Sequence, residues 1–113
     1  MFKPKDPRLL AIALLSRSTC RVKVAAVLAD RHGIFSWGFN NSGRDGFGEH
    51  AEAAALRRAN PRRTRASTLY IASQRARNGR AVMSRPCSAC QQLIRAAGCR
   101  ALWRDLDGSW KGL

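Results

Sequence analysis

Proline, glycine and short polar clusters cut this 113-residue chain into segments so brief that only an alternation of short helices and strands can be built from it. Asp6-Pro7 opens a helix, with Asp as N-cap and Pro at the first helical position, ahead of the apolar run Leu9, Leu10, Ile12, Ala13, Leu14 and Leu15. Val22 to Leu28 reads as a strand, Asp30-Arg31-His32-Gly33 as a turn, and Ile34 to Phe39 as the antiparallel hairpin partner. Asn40 to Gly48 carries Gly43, Gly46 and Gly48 among polar residues and reads as a loop; Glu49 to Ala59 reads as a helix that stops before Pro61. Ser67 to Ala72 returns as a strand, followed by a basic loop from Ser73 to Arg80. Pro86 suits the first turn of a helix through Ala97, which Gly98 ends, and Cys99 to Trp103 is a further strand. Asp105-Leu106-Asp107-Gly108 has turn chemistry and leads to a short return strand containing Trp110. This order predicts an α/β fold, a three-layer α/β/α sandwich around a mixed central sheet with right-handed crossovers.

With 45% hydrophobic residues, the chain supplies a core for one compact domain, 1–113, and not for two. There is no internal repeat, low-complexity tract or linker. Its 21 Lys+Arg against 7 Asp+Glu give a formal charge of +14, which makes nucleic acid or phosphorylated small molecules candidate partners; plain compositional bias is the alternative. No apolar run reaches the roughly 18–20 residues that span a bilayer, and Leu9 to Leu15 is too short and lacks a small-residue cleavage site. The expectation is a cytoplasmic protein with no membrane partner. There, a C-x-x-C pair is more often a metal or redox site than a disulfide. Cys20 and Cys99 lie in apolar segments and read as small core residues.

Two segments concentrate the chemistry: His50-Ala51-Glu52 at the start of one helix and Pro86-Cys87-Ser88-Ala89-Cys90 at the start of the next. Each alone is a weak signal; together they are specific. A catalytic zinc keeps three protein ligands and leaves the fourth position open, and His50, Cys87 and Cys90 supply three. Cys87 and Cys90 are one helical turn apart, so both sulfurs can face one point, and a helix N-terminus favours the thiolate that binds metal. Glu52, offset by about 200° from His50 around the helix axis, reaches a metal-bound water rather than the metal. Attack on the amidine-like carbon of a cytosine or adenine ring requires hydroxide, which zinc supplies by lowering the pKa of water towards about 7. It also requires proton relocation, the role assigned to Glu52. A closed zinc knot with a fourth ligand from His32, Cys20 or Cys99, or a redox C-x-x-C beside an accidental His, would use the same residues differently. Against these, His32 sits in a turn and neither other Cys has a partner at ligand spacing.

The paired motifs resemble the cytidine deaminase superfamily, whose signature is H-x-E or C-x-E followed by P-C-x-x-C. The resemblance runs from about Val22 to Trp103, with hairpin, loop, helix, strand, helix and strand in the family's order. It implies the deaminase α/β/α sandwich, zinc as the cofactor and Glu52 as general acid/base. It further implies that Asn40, in Gly38-Phe39-Asn40, contacts substrate. The backbone N–H of Ala51 would meet a pyrimidine carbonyl, and the backbone around Ser84 and Arg85 would accept the exocyclic amine. Arg85 departs from the Ser, Thr or Glu common in the family before the Pro, and a cation there suits a nearby phosphate.

The resemblance leaves the substrate open between three readings. A tight Asp105 to Gly108 turn, with no room for a helix before a parallel fifth strand, resembles the branch that contains free cytidine deaminases and some deaminase toxins, and points to free cytidine, deoxycytidine or their monophosphates. The charge instead favours cytosine, or adenine, in single-stranded DNA or RNA, drawn by Arg62, Arg63, Arg65, Arg75, Arg77 and Arg80 and stacked on aromatics such as Phe47 or Trp37. The third reading is a non-catalytic, zinc-stabilised nucleic-acid-binding module. The family also implies a homo-oligomer, whose neighbouring subunits complete the pocket.

Overall fold

The computed structural model describes residues 5–41 and 49–113. Gly43, Gly46, Gly48 and Phe47 of the expected glycine-rich loop lie outside the described residues. Helix α1 spans Pro7–Leu14 with Pro7 at its first position, and the Asp6 carboxylate caps it by accepting the Arg8 N–H at 2.9 Å. A 3-10 turn, Leu15–Arg17, leads to strand β1 (Val22–Asp30), which hairpins into β2 (Gly33–Phe39). Helix α2 is Ala51–Arg58, and β3 is Thr68–Arg75. Between them lies α3 (Pro61–Thr64), a single turn capped by Asn60 that the sequence reading did not anticipate. Helix α4 (Ser88–Ala97) ends on Gly98 in the left-handed conformation (φ 75°), β4 is Arg100–Arg104, and β5 is Trp110–Gly112.

The sheet order is β2-β1-β3-β4-β5, with β3 and β4 parallel and the other neighbours antiparallel. It is the expected mixed sheet. Alternation along β1 sorts the two faces. Ala26 and Leu28 join Leu69, Ile71, Ala101 and the inward residues of α2 and α4 in one buried cluster, with Val24 against it. Ala25 and Val27 join Ala72 and the α1 residues Leu10, Ala11 and Leu14 in the other. Helices on both faces make the three layers. No helix among the described residues is long and apolar enough to cross a membrane.

The approach of α2 to the sheet depends on two small residues of β2 that face it. Ser36 is buried and donates its hydroxyl to the Ala55 carbonyl at 2.6 Å. At Gly38 a Cβ would sit 2.7 Å from the Ala51 carbonyl oxygen and from Ala54 Cβ, and 2.8 Å from the Ala55 nitrogen. Glycine therefore sets the distance between β2 and the helix that carries half of the chemistry.

Several boundaries differ from the sequence reading. Strand β3 continues through Ser73, Gln74 and Arg75, because these pair with Val24, Lys23 and Val22, so the basic loop is shorter than 73–80. Pro86 precedes α4 rather than opening it: Cys87, in extended conformation (ψ 167°), is the N-cap. Cys20 and Cys99 are half-buried rather than core; Cys99 packs at the edge of the α2/α4 cluster.

Candidate metal centre and substrate pocket

Two helix N-termini converge on the α2/α4 face of the sheet. His50 is the N-cap of α2, so Glu52 lies in that helix's first turn; Cys87 is the N-cap of α4, and Cys90 lies one turn in. The parallel β3–β4 pair flanking α4 and the packing of α2 on β1 and β2 bring these caps together across 37 residues of sequence. His50 Nδ1 lies 3.8 Å from Cys87 Sγ and 3.3 Å from Cys90 Sγ, and the three ligand atoms lie within 4.8 Å of one another. Tetrahedral zinc with ordinary Zn–N and Zn–S bonds separates N from S by about 3.5 Å and S from S by about 3.8 Å. The donor set and its spacing therefore fit zinc with one position left for a small molecule. Neither Cys20, Cys99 nor His32 joins the group among the described residues.

Glu52 is 5% exposed. Burial raises its carboxyl pKa, offset in part by a hydrogen bond from its own backbone, by the His50 charge and by the Cys90 thiol. Burial also pushes the Cys90 thiol strongly upward, and the neighbouring Glu52 carboxylate adds to that. Metal binding requires the thiolate, so this centre favours its deprotonated form only with a cation present.

His50, Ala51, Glu52 and Cys87 line one pocket of about 240 Å³, together with Asn40, Ser84 and Arg85. Its remaining walls, Val22, Val24, Ser73 and Met83, were missed. The first three were accessible to reasoning, since Val22 and Val24 share a β1 face and Ser73 is the partner of Val24. Asn40 also has structural duties. Its Oδ1 accepts from Ser18 Oγ at 2.5 Å and Val24 N at 2.8 Å, while Nδ2 donates to the Val22 carbonyl at 2.9 Å. That ties the end of β2 to β1 and commits one of its two amide hydrogens. Ser84 is buried, and its N–H is bonded to the Arg104 carbonyl at 3.1 Å, while Arg85 is exposed at the rim.

Three of the arginines invoked for nucleic acid lie elsewhere. Arg62, Arg63 and Arg65 belong to α3 and its C-cap, at the β1 end occupied by Asp30. Arg63 donates twice to the Asp30 carboxylate at 2.8 Å and stacks 4.3 Å over Phe35. Trp37 is half-buried against the α1 cluster, on the opposite face from the pocket, so it offers no stacking platform there.

A mixed sheet between helices, with a His/Cys/Cys triangle and a buried Glu at two helix starts, defines a deaminase-like zinc domain. A profile of the cytidine and deoxycytidylate deaminase zinc-binding region matches residues 5–103, and the chain belongs to that family. No curated protein matches the chain in sequence. Among solved structures it is similar to the cytidine deaminase of Burkholderia pseudomallei, with TM-score 0.72 and 18% identity over 95% of this chain and 88% of that one. It is also similar to the cytidine deaminases of Mycobacterium leprae (TM-score 0.61, 17% identity, 93% and 88% covered) and Mycobacterium tuberculosis (0.58, 22%, 85% and 79%). At these identities the likeness is one of fold.

Proposed function

We propose that the chain is a zinc-dependent hydrolytic deaminase that converts cytosine to uracil in cytidine, deoxycytidine or their monophosphates. The observation that carries this reading is a buried carboxyl, Glu52, lining the same small pocket as His50 and Cys87. His50, Cys87 and Cys90 would hold a zinc ion, which when bound would acidify water and so supply the nucleophile. Glu52 would accept one proton of the water and pass it to the ring nitrogen, then carry the proton of the added hydroxyl to the exocyclic amine. Both hydrogens of the water are thereby used as the oxygen stays on the ring carbon and ammonia leaves. Burial raises the Glu52 pKa above the ordinary carboxyl value, which favours a group that gives a proton back as well as taking one. The Ala51 N–H, at the start of α2 where no intrahelical acceptor exists, donates to the base carbonyl. The backbone at Ser84 and Arg85 accepts the amine, and the second amide hydrogen of Asn40 is assigned to substrate. The antiparallel β4–β5 hairpin supports cytosine over adenine. A homo-oligomer belongs to the same reading and is checked by light scattering of the zinc-loaded protein.

A second reading, cytosine within a single strand, is favoured by the arginines beside the pocket. Ammonia release separates the readings when wild type and Glu52→Ala are offered cytidine, deoxycytidine monophosphate, adenosine and a mixed-sequence single strand. Glu52→Ala is expected to keep zinc and lose at least about 100-fold in turnover, the scale of general acid–base catalysis. Equal activity in both proteins removes Glu52 from the chemistry, and silence of the wild type on all four substrates leaves a non-catalytic zinc module.

A further inference from the structure

The pocket continues into a basic groove. Val24 and Ser73 face each other in the β1–β3 ladder and both line the pocket. Two residues further along β3, about 7 Å at the rise of a strand, Arg75 faces Val22. Side chains two apart share a face, so Arg75 projects from the pocket side of the sheet. The chain then folds back: Arg75 N–H donates to the Arg80 carbonyl at 2.9 Å, and Ala76 N–H donates to the Arg21 carbonyl at 2.8 Å. These bonds gather Arg21, Arg75, Arg77 and Arg80 around a groove of about 1010 Å³, with Val22 as a wall common to groove and pocket. All four arginines are exposed.

No described carboxylate neutralises them. Asp6 pairs with Arg8, Asp30 with Arg63, Glu49 with Arg57 and Asp105 with Lys111; Asp107 is bonded to Ser109, and Glu52 is inside the pocket. The groove is thus a concentrated, uncompensated part of the +14 formal charge. Size separates its ligand from the pocket's. The pocket's 240 Å³ falls below the roughly 300–1,000 Å³ that enclose a drug-sized ligand and suits a base, while the groove has room for several linked phosphates. Guanidinium forks match phosphate oxygens in geometry as well as charge.

We propose that this groove binds the phosphodiester backbone of a single-stranded polynucleotide, one base of which enters the adjoining pocket. The entry of that base rests on the second, single-strand form of the deaminase reading; backbone binding in the groove does not. The lone phosphate of a mononucleotide shares the chemistry, but four guanidiniums on one groove exceed its charge.

Binding of a fluorescein-labelled oligothymidylate to zinc-loaded protein, followed by anisotropy against salt, tests the groove without any deamination, because the probe carries no cytosine. Four phosphate contacts give a salt slope near −2.8, hence about a 50-fold loss of affinity between about 50 and 200 mM salt. The triple variant Arg75→Ala/Arg77→Ala/Arg80→Ala leaves one contact, and the loss over that salt range shrinks to about 3-fold. Zinc content and far-UV circular dichroism establish that the variant is folded. Arg31→Ala/Arg62→Ala/Arg65→Ala removes the same charge from the opposite end of the sheet and retains a steep slope. Equal effects of the two triples, or no wild-type binding at low salt, overturn the proposal. Displacement of the oligonucleotide by deoxycytidine monophosphate or inorganic phosphate at concentrations near the oligonucleotide's own Kd also overturns it, in favour of a single-phosphate subsite. Backbone binding confined to the groove, accompanied by failure to release ammonia from any cytosine, would spare the groove and refute the deaminase reading alone.

Discussion

Gly38→Ala tests whether the contact between β2 and α2 sets the geometry of the metal centre. The glycine φ is not in the left-handed region, so alanine is allowed there by the backbone, and collision alone decides the outcome. The new Cβ would lie 2.7 Å from the Ala51 oxygen and Ala54 Cβ and 2.8 Å from the Ala55 nitrogen. Comfortable carbon contacts are at about 3.5–4.0 Å, so α2 must retreat by roughly 0.8 Å or more. The obstacles include helix backbone that cannot rotate aside. Overpacking of this kind costs about 1–3 kcal/mol, against about 0.4–1 kcal/mol gained by stiffening the unfolded chain. A net loss of about 1–2 kcal/mol lowers the melting temperature by roughly 4–8 °C for a chain of this size. The retreat also carries His50 and Glu52 away from the two cysteines. Thermal melts of apo and zinc-loaded protein, together with competitive zinc titration, should show lower stability in both states and weaker zinc binding. A melting temperature at or above wild type with unchanged zinc affinity would refute the idea that glycine sets this distance.

Other perturbations address the remaining parts. Cys90→Ala removes one of three ligand atoms, so zinc per chain measured by atomic emission should fall from about one to near zero. Chelation should destabilise the wild type and not this variant; at free zinc near 100 Kd the difference is about 2.7 kcal/mol. Retained zinc in Cys90→Ala would point to a different ligand set. The Arg63 guanidinium holds the Asp30 carboxyl well below the usual carboxylate range. A depressed folded pKa stabilises the protein above the unfolded value of about 3.9, and that stabilisation is lost as pH falls through the lower folded value. Arg63→Ala should therefore unfold at lower urea than wild type at neutral pH, with the gap narrowing as the medium is made strongly acid; a gap independent of pH would remove the ion pair as its cause.

The sequence made the site more legible than the fold boundaries, for physical reasons. His50, Glu52, Cys87 and Cys90 must recur at fixed offsets because one turn of helix has to aim them at one point, and such offsets survive as motifs. Strand ends carry no such constraint. The last residues of β3, Ser73 to Arg75, have one side in the groove region and a basic, exposed end, so composition reads them as loop although they are laddered to Val22–Val24. The α3 turn was hidden because Asn60 and Pro61 signal the end of one helix and the start of another equally well. Which arginines matter was also illegible. Arg63 and Arg75 look alike in sequence, yet Arg63 is bound to Asp30, 33 residues away, and Arg75 faces the pocket side of the sheet.

That contrast bears on how substrate selection can change within such a fold. The candidate metal ligands sit at the starts of α2 and α4, both packed in one buried cluster, whereas the groove's guanidiniums are carried by Arg21, by Arg75 at the end of β3, and by Arg77 and Arg80 in the turn after it. Exposed side chains there can be exchanged at little cost in stability, typically within about 0.5 kcal/mol each. The pocket wall they adjoin, Val22, Val24 and Ser73, cannot change so freely, because those residues also form the β1–β3 ladder. On the proposed reading, chemistry and substrate reach would be carried by separable layers: the helix starts and Glu52 would act on a base, and the groove beside Val22 would select what that base is attached to.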